Sequence, residues 1–275
     1  MQAPTELTAR DLQALIFDVD GTLADTEEIH RQAFNVTFPR FGLDWHWTRE
    51  LYAELLGISG GRERITHYAA SVSPVLLESP DFPSFVRTLH QAKTAHYAGL
   101  LQDGRVRLRN GVERLLHEAR ATGLRLALAT SSAWSNLKTL LDGNLPREWP
   151  TWFSAIETAD SVEAKKPSPA VYDAVLRRLR LPAAGCLAFE DTENGLASAR
   201  AAGIGTIITA HAFTRTAHFE GALAVLDGLG EPEHPMTVLR GPACAHGFVD
   251  LEYLSVLRRA AHLHVDAAQH ELSFV

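Results

Sequence analysis

Cysteine is nearly absent from this chain of 275 residues: Cys186 and Cys244 are the only two, and they lie far apart. A disulfide-held scaffold is excluded, and nothing requires an oxidising compartment. Long apolar runs are missing as well. None approaches the roughly 18 residues of a membrane span, and Met1 to Asp11 has no basic stretch followed by an apolar one, so it does not read as a signal peptide. Positive charge is not in excess either. With 26 basic and 33 acidic residues the formal net charge is −7, which gives a nucleic-acid role no support. No internal repeat or low-complexity tract is present. The expected protein is a cytoplasmic monomer with neither nucleic acid nor membrane as partner, although an organelle protein stripped of its targeting peptide would look the same. Lysine is the other scarce residue. Lys93, Lys138, Lys165 and Lys166 are the only four, so a retained lysine draws attention in a chain that otherwise uses arginine.

What the chain does contain is a series of short apolar runs separated by helical patterns. Ala14 to Phe17 is the first run. Leu124 to Ala129 follows a helical stretch, Gly111 to Ala121; Cys186 to Phe189 follows Ala170 to Leu179; Gly205 to Thr209 follows Glu193 to Ala201. Gly123 and Gly203 sit where helix C-termini need them. Strands alternating with helices predict an α/β fold, with a Rossmann-like parallel sheet covered on both faces. Between Thr26 and about Gly104 the alternation stops, and apolar residues recur at helical spacing, as in Ile29-Ala33-Phe34 and Ile65-Tyr68-Ala69-Val72. Pro74, Pro80 and Pro83 interrupt it. The expected organisation is a discontinuous core, 1–26 and 104–275, with a helical domain, 27–103, inserted. Ala222 to Leu226 is a further candidate strand and Leu251 to His264 a candidate helix.

Four features fall at strand ends. Asp18 and Asp20 close the first run at i, i+2, a spacing that places both carboxylates on one side of an extended strand. In an open parallel sheet that end is where ligands bind, and two acids there can divide nucleophilic and proton-transfer work. An EF-hand reading fails because glycine follows too early and no third acid precedes it. Thr130-Ser131-Ser132 closes the Leu124 run, where small hydroxyls and backbone N–H groups can hold a phosphoryl group or simply cap a helix. Lys166 precedes Pro167 on a loop, placed either to offset acidic charge or to be solvated. Glu190-Asp191 brings a second acidic pair, with Asp191 an alternative helix cap. Asp18, Asp20 and Asp191 together make an oxygen-rich set suited to Mg²⁺.

In this order and spacing the four features resemble the four motifs of the haloacid-dehalogenase-like hydrolases. The resemblance implies that Asp18 is the nucleophile forming an aspartyl-phosphate and that Asp20 is the general acid/base, lending its backbone carbonyl to Mg²⁺. It implies Asp18 and Asp191 as side-chain metal ligands, Thr130 and Lys166 as phosphoryl ligands, with Ser131, Ser132 and Asn136 beside them and Glu190 in support. The inserted helices would be the family's cap, which excludes water during phosphoryl transfer.

Within the inserted segment, Glu27 and His30 start the first helix near the acidic loop. Gly61, Arg62 and Arg64 lie at a helix start, where N–H groups and guanidinium can bind a second anion. His90 and Lys93 lie on the last long helix. For His30, His90, Arg62 and Arg64 an ordinary helical or solvated role is the competing expectation. These strings, Leu23-Ala24-Asp25-Thr26-Glu27 and Gly221 to Gly230 resemble the CbbY-type branch, whose members hydrolyse xylulose 1,5-bisphosphate, an inhibitory by-product of Rubisco. Arg62 stands where that branch usually carries lysine, and Pro74 to Pro83 and the C-terminus are extended. The implied partner is a small-molecule sugar phosphate. Alternatives are a β-phosphoglucomutase-like mutase, a phosphoglycolate-like phosphatase and a non-catalytic phosphate-binding protein.

Overall fold

The computed structural model describes residues 12–102 and 106–259. The expectations for Met1–Asp11, for the boundary near 104 and for residues 260–264 of the last helix lie outside the described residues. The described part contains a seven-stranded sheet in the order β3-β2-β1-β4-β5-β6-β7. The strands are β1 (Ala14–Phe17), β2 (Arg125–Ala129), β3 (Phe153–Glu157), β4 (Cys186–Glu190), β5 (Gly205–Thr209), β6 (Ala224–Leu226) and β7 (Val238–Arg240). The first six run parallel, and β7 pairs antiparallel with β6.

β1 is central because all four of its residues are apolar and buried, as a strand covered on both faces requires. Alternation divides it between two cores. Leu15 and Phe17 join a cluster with Leu115 and Leu116 of α5 (Val112–Ala121), Leu137 and Leu141 of α6 (Trp134–Asp142), and Leu254 and Leu257 of a last helix described over 251–259. Ala14 and Ile16 join another, with Val171, Tyr172, Val175 and Leu179 of α7 (Ala170–Leu179) and Ala199 of α8 (Glu193–Ala201). The buried residues of α5, Val112, Leu115, Leu116 and Ala119, follow the i, i+3, i+4, i+7 stripe of a one-sided helix. β1 lies between β2 and β4, where successive crossovers take opposite directions along the sheet. Such a switch point leaves a crevice at the carboxyl ends of the strands.

Residues 27–102 form four helices, α1 (Glu27–Thr37), α2 (Arg49–Leu55), α3 (Gly61–Val72) and α4 (Phe82–Gln102). They enclose an aromatic-rich cluster of their own, with Phe34, Phe38, Trp45, Trp47 and Tyr52 at its centre. Pro74 opens a 3-10 turn between α3 and α4. Two strands were not foreseen. β3 is an edge strand with the burial of a half-covered element, and its Ser154 and Glu157 dilute the apolar signal. β7 has only three residues and an exposed Leu239.

Candidate active site

Above the carboxyl ends of β1, β2 and β4, a cleft of about 340 Å³ opens beneath α1, α3 and α4. Its walls are largely charged. Asp18, Asp20, Glu190 and Asp191 line the sheet side, while His30, Arg62, Arg64, Arg87, His90 and Lys93 line the helical side.

Asp18 follows β1 directly and is 7% exposed. Its Oδ1 lies 2.5 Å from Nζ of Lys166, which also donates to Oε1 of Glu190 at 2.6 Å and to the Ala129 carbonyl at 2.9 Å. All three ammonium protons are therefore used. Burial alone would lower the Lys166 pKa, but the two carboxylates outweigh it and hold the ammonium above its ordinary range. Burial raises the Asp18 pKa; Lys166 pulls it back, and Glu190 and Asp191 push it further up.

The strand rule fails at Asp20, and the reason is local. β1 ends at Phe17, and the Val19 carbonyl accepts the N–H groups of Thr22, Leu23 and Ala24, so the chain turns instead of extending. The Asp20 carboxylate is thereby directed to the helices. It accepts from Thr26 Oγ1 at 2.7 Å, from Tyr97 at 3.3 Å and from Ser132 Oγ, and pairs with His30 Nε2 at 3.2 Å. Burial opposes its ionisation, yet these partners, His30 first, hold its pKa well below the usual carboxylate range.

Asp18, Glu190 and Asp191 each offer a carboxylate oxygen within 4.8 Å of the others. The two expected side-chain ligands, Asp18 and Asp191, are thus brought together with Glu190, while the turn directs the Asp20 side chain to the helices. Three buried carboxylates against one ammonium leave two negative charges, the charge of one Mg²⁺, and the donors are all hard oxygens. Glu190 Oε2 is buried and has no hydrogen-bond partner. The donor set therefore fits a divalent cation. His211 Nε2 lies 2.9 Å from Asp191 Oδ2 and holds that carboxylate from behind. Two glycines permit this packing. A Cβ on Gly21, at φ +81, would fall 2.2 Å from Asp191 Oδ2, and one on Gly195 would fall 1.8 Å from Glu190 Oε2.

Neither competing cap reading describes the strand-end residues. α6 has Ala133 at its N-cap, and the Trp134 N–H is satisfied by Asp160 at 2.9 Å. Thr130, Ser131 and Ser132 line the cleft instead. α8 is capped by Thr192, whose Oγ1 accepts from Gly195 N at 3.1 Å, which leaves Asp191 out of that role. Asn136, expected beside them, lies on α6 outside the cleft lining.

On the helical side, Glu27 is buried and accepts from Tyr52 at 2.7 Å. Lys93 lies 2.5 Å from His30 Nδ1 and over the rings of Phe34 and Tyr97. Burial first, then Arg64, push its pKa down to about 7. Burial, with Lys93, Arg62 and Lys165, pushes His90 down to about 4. Of the two arginines at the start of α3, Arg62 is exposed on the cleft. Arg64, by contrast, is neither solvated nor free to reach far: it donates to Leu55 O, Tyr52 Oη and Ile58 O. Gly61 packs on His90. Besides the His30 and Tyr97 contacts to Asp20, Lys165 spans the cleft to Glu63 at 2.7 Å, and Asn194 Nδ2 donates to Gly57 O at 2.7 Å and to Ser59 Oγ at 3.2 Å. Arg87, Tyr97 and His211 were not among the expected site residues, and Lys165, noted only as a scarce lysine, joins them. Arg87 falls three residues before His90 on α4, a helical spacing that would have found it.

The chain is similar to several known proteins. The pattern of the haloacid dehalogenase-like hydrolases matches residues 15–209. Protein CbbY of Cupriavidus necator (plasmid) is 48% identical over 243 residues, covering 88% of this chain and 95% of that protein. A crystal structure of mutant CbbY from Rhodobacter sphaeroides in complex with xylulose 1,5-bisphosphate superposes with a TM-score of 0.72 at 38% identity, covering 80% of this chain and 96% of that one. A β-phosphoglucomutase structure from Clostridium difficile shares the fold, with a TM-score of 0.69 over 92% of this chain and 99% of its own at 18% identity. A buried carboxylate–lysine cluster at a switch point, within a chain so closely related over nearly its whole length, places this protein among the haloacid dehalogenase-like hydrolases, as a phosphatase of the CbbY type.

Proposed function

We propose that this phosphatase is Mg²⁺-dependent and hydrolyses a sugar bisphosphate, xylulose 1,5-bisphosphate, to xylulose 5-phosphate through an aspartyl-phosphate on Asp18. The observation that carries this reading is the cleft's two charge poles. Carboxylates, Lys166 and the Thr130 hydroxyl cluster at the sheet end, and Arg62, Arg87 and Lys93 gather opposite, with His90 among them as a hydrogen-bonding ring. One phosphate fits the reacting pole while the second is held by cations. The helical segment 27–103 acts as the cap over this chemistry.

Asp18, Glu190 and Asp191 would hold Mg²⁺ by side chains and Asp20 by its carbonyl; the ion supplies charge neutralisation and a template for the phosphoryl oxygens. Lys166 and the Thr130 hydroxyl bind the phosphoryl group. The Asp18 carboxylate attacks phosphorus, the P–O bond to the sugar breaks, and the departing oxygen takes a proton from Asp20. A phosphoryl dianion beside Asp20 raises its pKa by like-charge repulsion, in the direction needed for it to carry that proton. Water then attacks the phosphorus of the aspartyl-phosphate and gives its proton to Asp20. Phosphate leaves, and both aspartates are restored. His30, stacked on Tyr97 with centroids 3.9 Å apart, fixes Asp20 in place.

Phosphate release from a panel of sugar mono- and bisphosphates with Mg²⁺ tests the proposal. Preferential release of one phosphate from xylulose 1,5-bisphosphate is expected. An isomerised monophosphate as product would make the protein a mutase, and preference for a small monophosphate such as phosphoglycolate would remove the bisphosphate assignment.

A further inference from the structure

The guanidinium of Arg109 is 7% exposed and lies behind the acidic loop, outside the cleft lining. Its Nη1 donates to the carbonyl of Gly21 and, at 2.8 Å, to that of Thr209. Its Nη2 donates to Ala210 O at 2.9 Å and Asp227 O at 3.0 Å. Nε faces Asp25 Oδ1 at 3.5 Å. The four Nη hydrogens of the fork thus meet four main-chain oxygens, and Nε adds only the charge contact with Asp25. Those oxygens come from three separate places: the turn after Asp20, the end of β5 and the end of β6. The Arg109 main-chain N–H also donates to Leu23 O at 2.8 Å, and Leu108 bridges Ala24, so the chain leaving α4 runs beside the chain entering α1.

We propose that Arg109 is a positioning residue for the Asp18–Asp20 loop, fixing the Gly21 peptide at the junction between helices and sheet; its catalytic consequence rests on the phosphatase reading above. Gly21 is the residue whose missing Cβ admits Asp191 and His211. A shift of its peptide therefore disturbs both Asp20 and the oxygens around Asp18. Lysine cannot replace the fork, because an ammonium has three donors radiating from one point, whereas four carbonyl oxygens, spread along the two edges of the fork, must be met. None of the Arg109 contacts belongs to a cleft cation, so its loss affects turnover rather than binding of the distal phosphate.

The test uses Arg109→Lys and Arg109→Ala with p-nitrophenyl phosphate and Mg²⁺. In both, kcat should fall about tenfold or more while KM stays within about threefold. Guanidinium at tens of millimolar should restore part of the Arg109→Ala kcat, and methylammonium should not. Amide exchange over residues 18–25 should accelerate in Arg109→Lys, a readout independent of any substrate. Wild-type kcat in folded Arg109→Lys, or unchanged exchange in that loop, overturns the proposal. So does a kcat loss accompanied by an equal loss of melting temperature and no guanidinium rescue, which would mark general destabilisation. If Arg109→Ala does not fold, Arg109→Lys decides alone. A wild-type protein that hydrolyses no phosphate ester would sink the phosphatase reading separately, and loop exchange would still judge Arg109.

Discussion

Replacing Lys93 with methionine should stabilise the fold and damage recognition of a bisphosphate, and the first effect has a calculable pH signature. Lys93 is 3% exposed, and burial with Arg64 lowers its pKa from 10.5 to about 7, although Asp20 and Glu27 pull the other way. Between those two values the unfolded chain retains a proton that the folded chain has released. Stability therefore rises with pH across that window, at up to about 1.4 kcal/mol per pH unit. Integrated from about pH 7 to about pH 9, the wild type gains about 2 kcal/mol from this group. Methionine is one atom shorter but unbranched like lysine, and it removes the charge, so its advantage should be about 4 kcal/mol near pH 7, shrinking to about 2 kcal/mol near pH 9. Lost cation–π contacts with the Phe34 and Tyr97 rings subtract up to about 1 kcal/mol near pH 7, and fade as the ammonium deprotonates. His30, whose pKa is lowered by burial and then by Lys93, titrates below this window. Urea denaturation of both proteins at stepped pH reads the difference, since other titrating groups are shared. Parallel stability profiles would refute the reasoning. The same variant should raise KM for a sugar bisphosphate, a case of stability withheld for function.

Three further outcomes follow from the site. Asp18→Asn should abolish turnover while leaving the melting temperature near or above wild type, because Asp18 is a buried carboxylate held against its desolvation; residual phosphate release at more than about a thousandth of the wild-type rate would remove it as nucleophile. Arg62→Ala should raise KM for a bisphosphate about tenfold with little change for p-nitrophenyl phosphate, and equal effects on both would deny it the second phosphate. Gly195→Ala places a methyl group 1.8 Å from Glu190 Oε2. It should weaken Mg²⁺ binding measured by calorimetry and cost about 2 kcal/mol or more in denaturation, and an unperturbed isotherm would exclude Glu190 from the ion's surroundings.

The fold was legible where local pattern and tertiary role coincide. Ala14–Phe17 and Cys186–Phe189 are apolar, and Gly205–Thr209 carries Ile207 and Ile208, because both sides are covered, and their helices carry one-sided stripes. Phe153–Glu157 escaped because an edge strand needs only half the apolar content, and Val238–Arg240 because three residues carry no period. At the site, the residue types at strand ends were readable, but their directions were not. Two-residue alternation put Asp20 beside Asp18, whereas three N–H groups converging on the Val19 carbonyl bend the chain between prediction and outcome. His211, Tyr97 and Arg109 reach the site from elements remote in sequence, and no local spacing announces a long-range contact. Arg64 shows the opposite limit: its position in a Gly-Gly-Arg-Glu-Arg string suggests an anion site, and its side chain is occupied with the carbonyls of its own helical neighbourhood.

A parallel sheet has two raw edges, and β7 disposes of one of them. β6 is entirely apolar and buried, Ala224-Val225-Leu226, and without a neighbour it would offer an open row of peptide groups to any other chain. β7 covers that row with three residues, reverses direction, and stops at Gly241-Pro242, where the missing proline N–H blocks further strand addition. Arg240 folds back to the Phe219 carbonyl and leaves a charged outer margin. The stretch beyond β6 thus takes up hydrogen-bonding groups that another chain could otherwise pair with. Prolines at Val238 and Arg240 together, which unpair β7 while keeping Leu254 and Leu257 in the core, should yield a protein that precipitates as its concentration rises, failing in solubility before it fails in chemistry.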